Sequence, residues 1–212
     1  MTRRLDDLRH RILAMAGRVE VMIDDSVRAM TEGDVSLARR TIAKDRFVDA
    51  DEVAIDRLCL ELLSSLPLQP SEMRFITIAL KMVTDLERIG DLAVSVCEQA
   101  KALSDAELDA PYVDIPEMGR LVAASLRRVV DAFVERDIDE ALAVIEADDT
   151  VDELYERVFA DVMRMMEEGL DLQIGVRVQS VAKVLERMGD HATNLAEQVV
   201  FMVGGEDVRH GG

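Results

Sequence analysis

The chain has 212 residues, of which 49% are apolar and 32% charged, so it is long enough for one or two globular cores. The formal net charge of −18 argues against nucleic acid as a partner, because phosphate backbones are bound by clustered Lys and Arg. Aromatic residues make up only 3% of the chain, and Leu, Ala, Met, Glu and Arg are abundant. These residues favour helices, so the predicted fold class is all-α.

The first half of the sequence predicts three long helices. Apolar residues recur at steps of three and four from Leu5 onward, which predicts a first helix that ends at about residue 30. Gly33 interrupts this pattern, and Asp34 is a suitable N-cap for a second helix that continues to about residue 65. The prolines within residues 67–70 predict a turn, after which a third helix begins near Ser71, a potential cap, and continues to about residue 103.

The same pattern restarts after an acidic linker with two prolines at residues 104–116. Three further helices are predicted at residues 117–135, 137–168 and 173–203, followed by a flexible tail at residues 204–212. The sequence therefore predicts two three-helix units, residues 1–103 and residues 117–203. Each should be an up-down-up bundle, because short loops join antiparallel neighbours.

A short motif is repeated in the two units. The pattern E-R-x-G-D at residues 87–91 returns at residues 186–190. Each copy places two acids one turn apart on the same helix face, which costs about 0.2 to 0.5 kcal/mol unless a cation lies between them. Each copy also contains a glycine, which costs about 0.5 to 1 kcal/mol relative to alanine inside a helix. Two unfavourable features that recur at equivalent positions of both units indicate a functional site.

The middle helix of each unit carries its own acid pair, as D-x-x-x-D at residues 45–49 and 148–152. Folding each hairpin at its predicted turn brings the pairs level, because both helices rise by about 1.5 Å per residue. Facing acids on helices with axes about 8 to 10 Å apart can converge on a shared ion. We therefore predict two metal-binding groups, one of Asp45, Asp49, Glu87 and Asp91 and the other of Asp148, Asp152, Glu186 and Asp190.

Such all-oxygen sites favour hard cations, namely Mg²⁺, Mn²⁺, Fe²⁺ or Fe³⁺ and Ca²⁺, with Zn²⁺ less natural in the absence of His and Cys ligands. No nucleophile is paired with a base anywhere in the pattern, so no catalytic residue is predicted. No run of 18 uninterrupted apolar residues occurs, and the N-terminus lacks the apolar stretch of a signal peptide. We therefore expect a cytoplasmic protein.

Two three-helix units, each with D-x-x-x-D on the middle helix and E-R-x-G-D on the last, resemble the PhoU family. The resemblance covers residues 5–203, and its most specific segments are residues 86–91 and 185–197, with the turn at residues 68–74. One position departs from the family pattern: Leu92 stands where the second copy has His191 and where the family often has histidine. This departure implies that the two metal groups differ in affinity or nuclearity.

The resemblance also implies a function. It implies metal groups, often multinuclear iron, at the eight acids named above, in a non-enzymatic regulator of phosphate uptake. Such a regulator represses the phosphate-starvation response, and so acts indirectly on transcription, by coupling the ATPase subunit of the phosphate ABC transporter to a sensor histidine kinase. Many members are homodimers, and the family meets the membrane only through its partners.

Two alternative functions fit parts of the pattern. A metal-dependent, all-α nucleotide pyrophosphohydrolase would use similar acids with Mg²⁺ to position and polarise phosphates. It would also need basic side chains beside the acids, and only Arg88 and Arg187 are adjacent to them in both copies. A helical scaffold with an acidic face and no metal is the other alternative, since 43 of the 212 residues are acidic.

Overall fold

The computed structural model describes residues 2–65, 67–104 and 114–204, which contain no strand, so the predicted all-α fold class is confirmed. Within these ranges no helix combines the length and apolarity that crossing a bilayer requires. The helices in chain order are α1 (Thr2–Glu32), α2 (Val35–Ile42), α3 (Asp45–Ser64), α4 (Pro70–Leu103), α5 (Ile115–Glu135), α6 (Ile138–Glu167) and α7 (Leu172–Gly204).

The six predicted helices are all present, but a turn at Ala43 and Lys44 divides the second of them into α2 and α3. The Lys44 N–H donates to the carbonyl oxygen of Thr41 at 2.9 Å, a three-residue spacing that is tighter than the α-helical one. The Lys44 side chain leaves the helix at this turn and places its Nζ 2.6 Å from Oδ2 of Asp25 on α1. The turn is therefore fixed by a contact with a distant part of the chain.

Equivalent turns begin α2 and α6. Gly33 and Arg136 both adopt left-handed backbone conformations, with φ of 65° and 60°. The next residue in each copy, Asp34 or Asp137, accepts a hydrogen bond on its Oδ1 from the backbone N–H three residues further on, at 2.8 Å and 3.0 Å. Asp34 is therefore the N-cap predicted from the sequence.

The prediction that Ser71 caps the third long helix is wrong. The helix begins at Pro70, whose missing N–H costs nothing at the first helical position, and Gln69 is the N-cap. The Gln69 N–H donates to Oε2 of Glu72 at 2.9 Å, as in a capping box. In the second unit α5 begins at Ile115, two residues before the predicted start. Most of the predicted linker (residues 105–113) and tail (residues 205–212) lie outside the described residues.

Equivalent helices of the two units pack against each other at the centre of the protein. Helix α1 contacts α5, its equivalent in the second unit, and α4 contacts its equivalent α7. Contacts of α1 with α4 and of α5 with α7 complete a central group of four helices. Helices α2 and α3 pack on α1 and α4, and α6 packs on α5 and α7. One continuous apolar core therefore serves both units, with α3 and α6 on the outside.

Polar side chains also join the two units across the contact between α4 and α7. Oδ1 of Asp85 lies 3.0 Å from Nδ1 of His191, and Oδ2 of Asp85 accepts from Nε2 of Gln198 at 2.8 Å. Nearby, Nη1 of Arg177 donates to Oε1 of Gln99 at 2.9 Å. The imidazole of His191 thus faces the first unit, where it contacts Asp85.

Candidate metal centres

Each group of carboxylates forms where the outer helix of a unit meets its last helix. A β-carbon added at Gly90 of α4 would lie 3.6 Å from Oδ1 of Asp45, an ordinary contact distance. A β-carbon added at Gly189 of α7 would lie only 2.8 Å from Oδ1 of Asp148. The repeated glycine therefore brings the backbone of one helix beside the first acid of the facing helix, most closely in the second unit. This close approach explains the glycine that helix propensity alone disfavours.

The four predicted acids of the first unit lie close enough to repel one another. Burial raises the pKa of Asp45, and the charges of Asp49 and Asp91 raise it further. Burial also raises the pKa of Glu87, with Asp91 as the next cause and Asp49 as a smaller one, while Arg88 opposes the rise. The structure thus brings acids from α3 and α4 into one electrostatic environment. We call these four acids the first group.

The four predicted acids of the second unit are brought together in the same way and form the second group. Burial raises the pKa of Asp148, a hydrogen bond from Thr193 opposes this, and the charges of Asp152, Asp190 and Glu186 add to the rise. Burial and the charge of Asp190 likewise raise the pKa of Asp152. Repulsion among carboxylates is the electrostatic condition that a bound cation relieves.

Among the residues that the structure describes, one basic side chain contacts each group. Nη1 of Arg88 lies 3.3 Å from Oδ2 of Asp91, and its Nε lies 3.6 Å from Oε2 of Glu87. In the second group Nζ of Lys183 lies 2.5 Å from Oε1 of Glu186. The other oxygen of Glu186, Oε2, is buried and has no hydrogen-bond partner among the described residues. A buried, unpartnered carboxylate oxygen beside three further acids fits a hard cation.

The side chains do not form a finished coordination sphere. Within the described ranges, no three His, Cys, Asp or Glu side chains converge closely enough to hold one metal ion. Glu87 and Glu186 are instead turned toward Arg88 and Lys183. The helices that carry the acids are packed together, α3 on α4 and α6 on α7, so the acids of each group lie along one helix contact.

Three contributors to these groups were absent from the sequence prediction. Each lies three residues along the helix from a predicted acid, which places it on the same face. Helical spacing was therefore a signal that could have identified all three. They are Glu52, whose pKa is raised by burial and by neighbouring acids, Lys183 and Thr193.

Comparison with known proteins identifies relatives along nearly the whole chain. Residues 12–100 and residues 115–199 each match the PhoU domain. The phosphate-specific transport system accessory protein PhoU of Escherichia coli (strain K12) is 33% identical over 209 residues, which cover 98% of this chain and 87% of that protein. The PhoU homolog of Pseudomonas putida is 36% identical over 210 residues, covering 98% of this chain and 82% of that protein.

Solved structures show the same fold. The crystal structure of PhoU from Pseudomonas aeruginosa matches with a TM-score of 0.92 and 34% identity, over 97% of this chain and 99% of that one. The phosphate transport system regulatory protein PhoU from Streptococcus pneumoniae matches with a TM-score of 0.89 and 25% identity, over 96% of this chain and 97% of that one. Sequence and fold agree across both units, and the chain therefore belongs to the PhoU family.

Proposed function

We propose that the protein is a non-enzymatic accessory protein of phosphate transport that regulates phosphate uptake. The observation that carries this proposal is the match to phosphate-specific transport system accessory proteins along 98% of the chain, in both units. The protein acts in the cytoplasm and represses the phosphate-starvation response. It does so by coupling the ATPase subunit of the phosphate transporter to a sensor histidine kinase, as a homodimer.

We further propose that the two groups of carboxylates bind metal ions, with iron, manganese, magnesium and zinc as the candidates. The support is chemical: each group consists of mutually repelling acids, and Oε2 of Glu186 is buried without a partner among the described residues. A bound cation would neutralise these acids and link the outer helix of each unit to its last helix. The ligands would be Asp45, Asp49, Glu87 and Asp91 in the first group and Asp148, Asp152, Glu186 and Asp190 in the second.

Metal binding can be tested by elemental analysis of untagged protein beside the double variant Asp91→Asn/Asp190→Asn. We expect iron, manganese or zinc in the wild type and its loss from the variant, because each substitution removes one charged ligand. The matched control is Asp131→Asn/Asp139→Asn, which neutralises two acids outside both groups and should retain the metal. Wild-type protein that binds none of these metals would contradict the proposal.

The regulatory role can be tested separately in a deletion strain. In phosphate-rich medium the deletion should derepress the genes of phosphate uptake, and the wild-type gene should restore repression. Complementation with Asp91→Asn/Asp190→Asn then shows whether repression needs the carboxylate groups. Unchanged expression in the deletion strain would contradict the accessory role.

An enzymatic assay distinguishes the regulator from a nucleotide pyrophosphohydrolase. Purified protein incubated with nucleoside triphosphates and Mg²⁺ or Mn²⁺ should release no pyrophosphate. Sustained release that disappears in Asp91→Asn/Asp190→Asn would replace the non-enzymatic proposal with the enzymatic one.

A further inference from the structure

The second group contains a lysine at a position where the first group has no cation. Lys183 of α7 places its Nζ 2.5 Å from Oε1 of Glu186 and 5.2 Å from the centre of the Tyr155 ring on α6. The sequence repeat aligns Lys183 with Thr84, and Tyr155 with Glu52. Where the second unit has an ammonium group beside an aromatic ring, the first unit therefore has a hydroxyl group and a carboxylate.

Two interactions hold the Lys183 ammonium in place. The short hydrogen bond to Glu186 is charge-assisted; the Lys183 side chain is 49% exposed and the Glu186 side chain 14% exposed. The Tyr155 ring adds a cation–π attraction. The second group thus has a positive charge in contact with the partly buried carboxylate of Glu186.

The first group is neutralised less firmly. The Thr84 hydroxyl donates to the carbonyl oxygen of Leu80 at 3.3 Å and carries no charge. Arg88 lies 3.3 Å from Asp91 and 3.6 Å from Glu87, longer than the 2.5 Å contact between Lys183 and Glu186, while the two basic side chains are similarly exposed, at 58% and 49%. Ion pairs of this length at the surface contribute little. A metal ion entering the first group therefore displaces a weakly held arginine and meets Glu52 as a further carboxylate.

We propose that Lys183 is an internal counter-ion of the second group, which a metal ion must displace from Glu186 in order to bind. The inference rests on the proposed metal binding and assigns a difference between the two groups. Lys183 competes with the metal for Oε1 of Glu186, and its charge repels any cation that approaches the remaining acids. The first group therefore binds a divalent cation more tightly, and the two groups fill in turn as the metal concentration rises.

The test is calorimetric titration with Mn²⁺ alone, in backgrounds that leave one group intact. Asp91→Asn protein retains the second group, and in this background Lys183→Met should tighten Mn²⁺ binding by about tenfold or more, because it removes the competing charge. Methionine keeps an unbranched apolar stem over Tyr155. Lys183→Arg is the matched control, since it keeps the charge and should leave the affinity within about threefold of its parent.

The reciprocal change tests the same inference in the other unit. In Asp190→Asn protein, which retains the first group, Thr84→Lys should weaken Mn²⁺ binding by about tenfold by placing an ammonium group three residues before Glu87. Thr84→Met is the uncharged control and should not change the affinity. This arm does not depend on the stability of the Lys183→Met protein, which is checked by thermal unfolding in the presence of a chelator.

The outcomes separate the two proposals. If the wild type binds Mn²⁺ while Lys183→Met and Thr84→Lys leave both affinities unchanged, the counter-ion role is wrong and metal binding stands. If Asp91→Asn protein binds no Mn²⁺ either with or without the Lys183→Met substitution, the second group is not a metal site and the counter-ion role fails with it. If the wild type binds no metal at all, both proposals fail.

Discussion

The first and second groups of carboxylates share one helix contact and differ in the side chains one turn away. In both units a glycine of the last helix faces a valine of the outer helix. A β-carbon added at Gly90 would lie 3.4 Å from Val48, and one added at Gly189 would lie 3.6 Å from Val151. The basic contacts differ in length: Nζ of Lys183 lies 2.5 Å from Oε1 of Glu186 in the second group, whereas Nη1 of Arg88 lies 3.3 Å from Oδ2 of Asp91 in the first. The repeat thus preserves the backbone approach that positions the acids, while neighbouring positions set how strongly each group is already neutralised.

The two units also differ where they meet. Asp85 and His191 are paired across the contact, but their repeat counterparts are Val184 and Leu92. The substitution His191→Leu gives the second unit the residue that the first unit has at the equivalent position. It should destabilise the protein by about 1 to 3 kcal/mol, because Asp85 would keep only Gln198 as a partner in a partly buried position. Chemical denaturation measures this change.

A second substitution turns this prediction into a double-mutant cycle. Adding Asp85→Val to His191→Leu should recover most of the lost stability, since replacing both partners by apolar groups leaves no unpaired charge. A double variant as unstable as the single one would show that His191 acts by packing alone.

Substituting the two glycines tests whether the closer approach in the second unit matters. Gly189→Ala should weaken Mn²⁺ binding by the second group about tenfold, because its β-carbon would displace Oδ1 of Asp148 from 2.8 Å and disturb the Thr193 hydrogen bond. Gly90→Ala meets only ordinary contacts, so it should leave the first group's affinity intact and stabilise its helix by about 0.5 to 1 kcal/mol. Equal effects of the two substitutions on Mn²⁺ binding would contradict this asymmetry.

The turns that begin α2 and α6 differ in the residue at the left-handed position. Arg136→Gly should stabilise the protein by about 0.5 to 1 kcal/mol, because a non-glycine residue is strained at φ of 60°. The reciprocal Gly33→Arg should destabilise it by a similar amount. Thermal unfolding of both variants gives the comparison, and a neutral Arg136→Gly would mean that contacts of the arginine side chain offset the strain.

The smallest expected effect concerns pH in the absence of metal. Burial raises the pKa of Asp148 above its value in the unfolded chain, so the folded state binds the proton of this carboxyl group more tightly. The stability that the bound proton contributes is present at low pH and is lost as the pH rises through the folded pKa. Asp148→Asn should therefore raise the unfolding midpoint at pH 7 in chelator by at most about 1 °C, or about 0.3 kcal/mol, because solvent screens this half-exposed carboxyl group. Below the unfolded pKa the variant and the wild type should unfold alike. A variant that is less stable at pH 7 would contradict this sign.

Local sequence patterns were sufficient for the fold and for the approach of the acids. The 3.6-residue periodicity located the helices, and Asp34 was recognisable as a cap because its partner is three residues away. The approach of Asp45 to Gly90 followed from folding the hairpin about its proline-containing turn, since two packed helices have the same rise. These inferences need only short-range geometry.

Contacts between distant parts of the chain could not be predicted in this way. The turn at Lys44 depends on Asp25 of another helix, and the apolar pattern continues through it. Asp85 and His191 are 106 residues apart, and nothing in either local sequence selects the other. The sequence favours Ser71 as the cap because serine is a common N-cap residue, whereas the proline at position 70 fixes the helix start and makes Gln69 the cap.

The single Asp85–His191 pair has a consequence for which halves can assemble. The face that each half presents to the other is apolar, so the apolar contact alone does not distinguish a mixed pairing from the pairing of two like halves. Two first halves would each bring Asp85 against Leu92 and leave the carboxylate without its imidazole. Two second halves would likewise leave His191 facing Val184. The contact between Asp85 and His191 forms only when a first half pairs with a second half. It therefore favours this mixed pairing over the pairing of two first halves or two second halves.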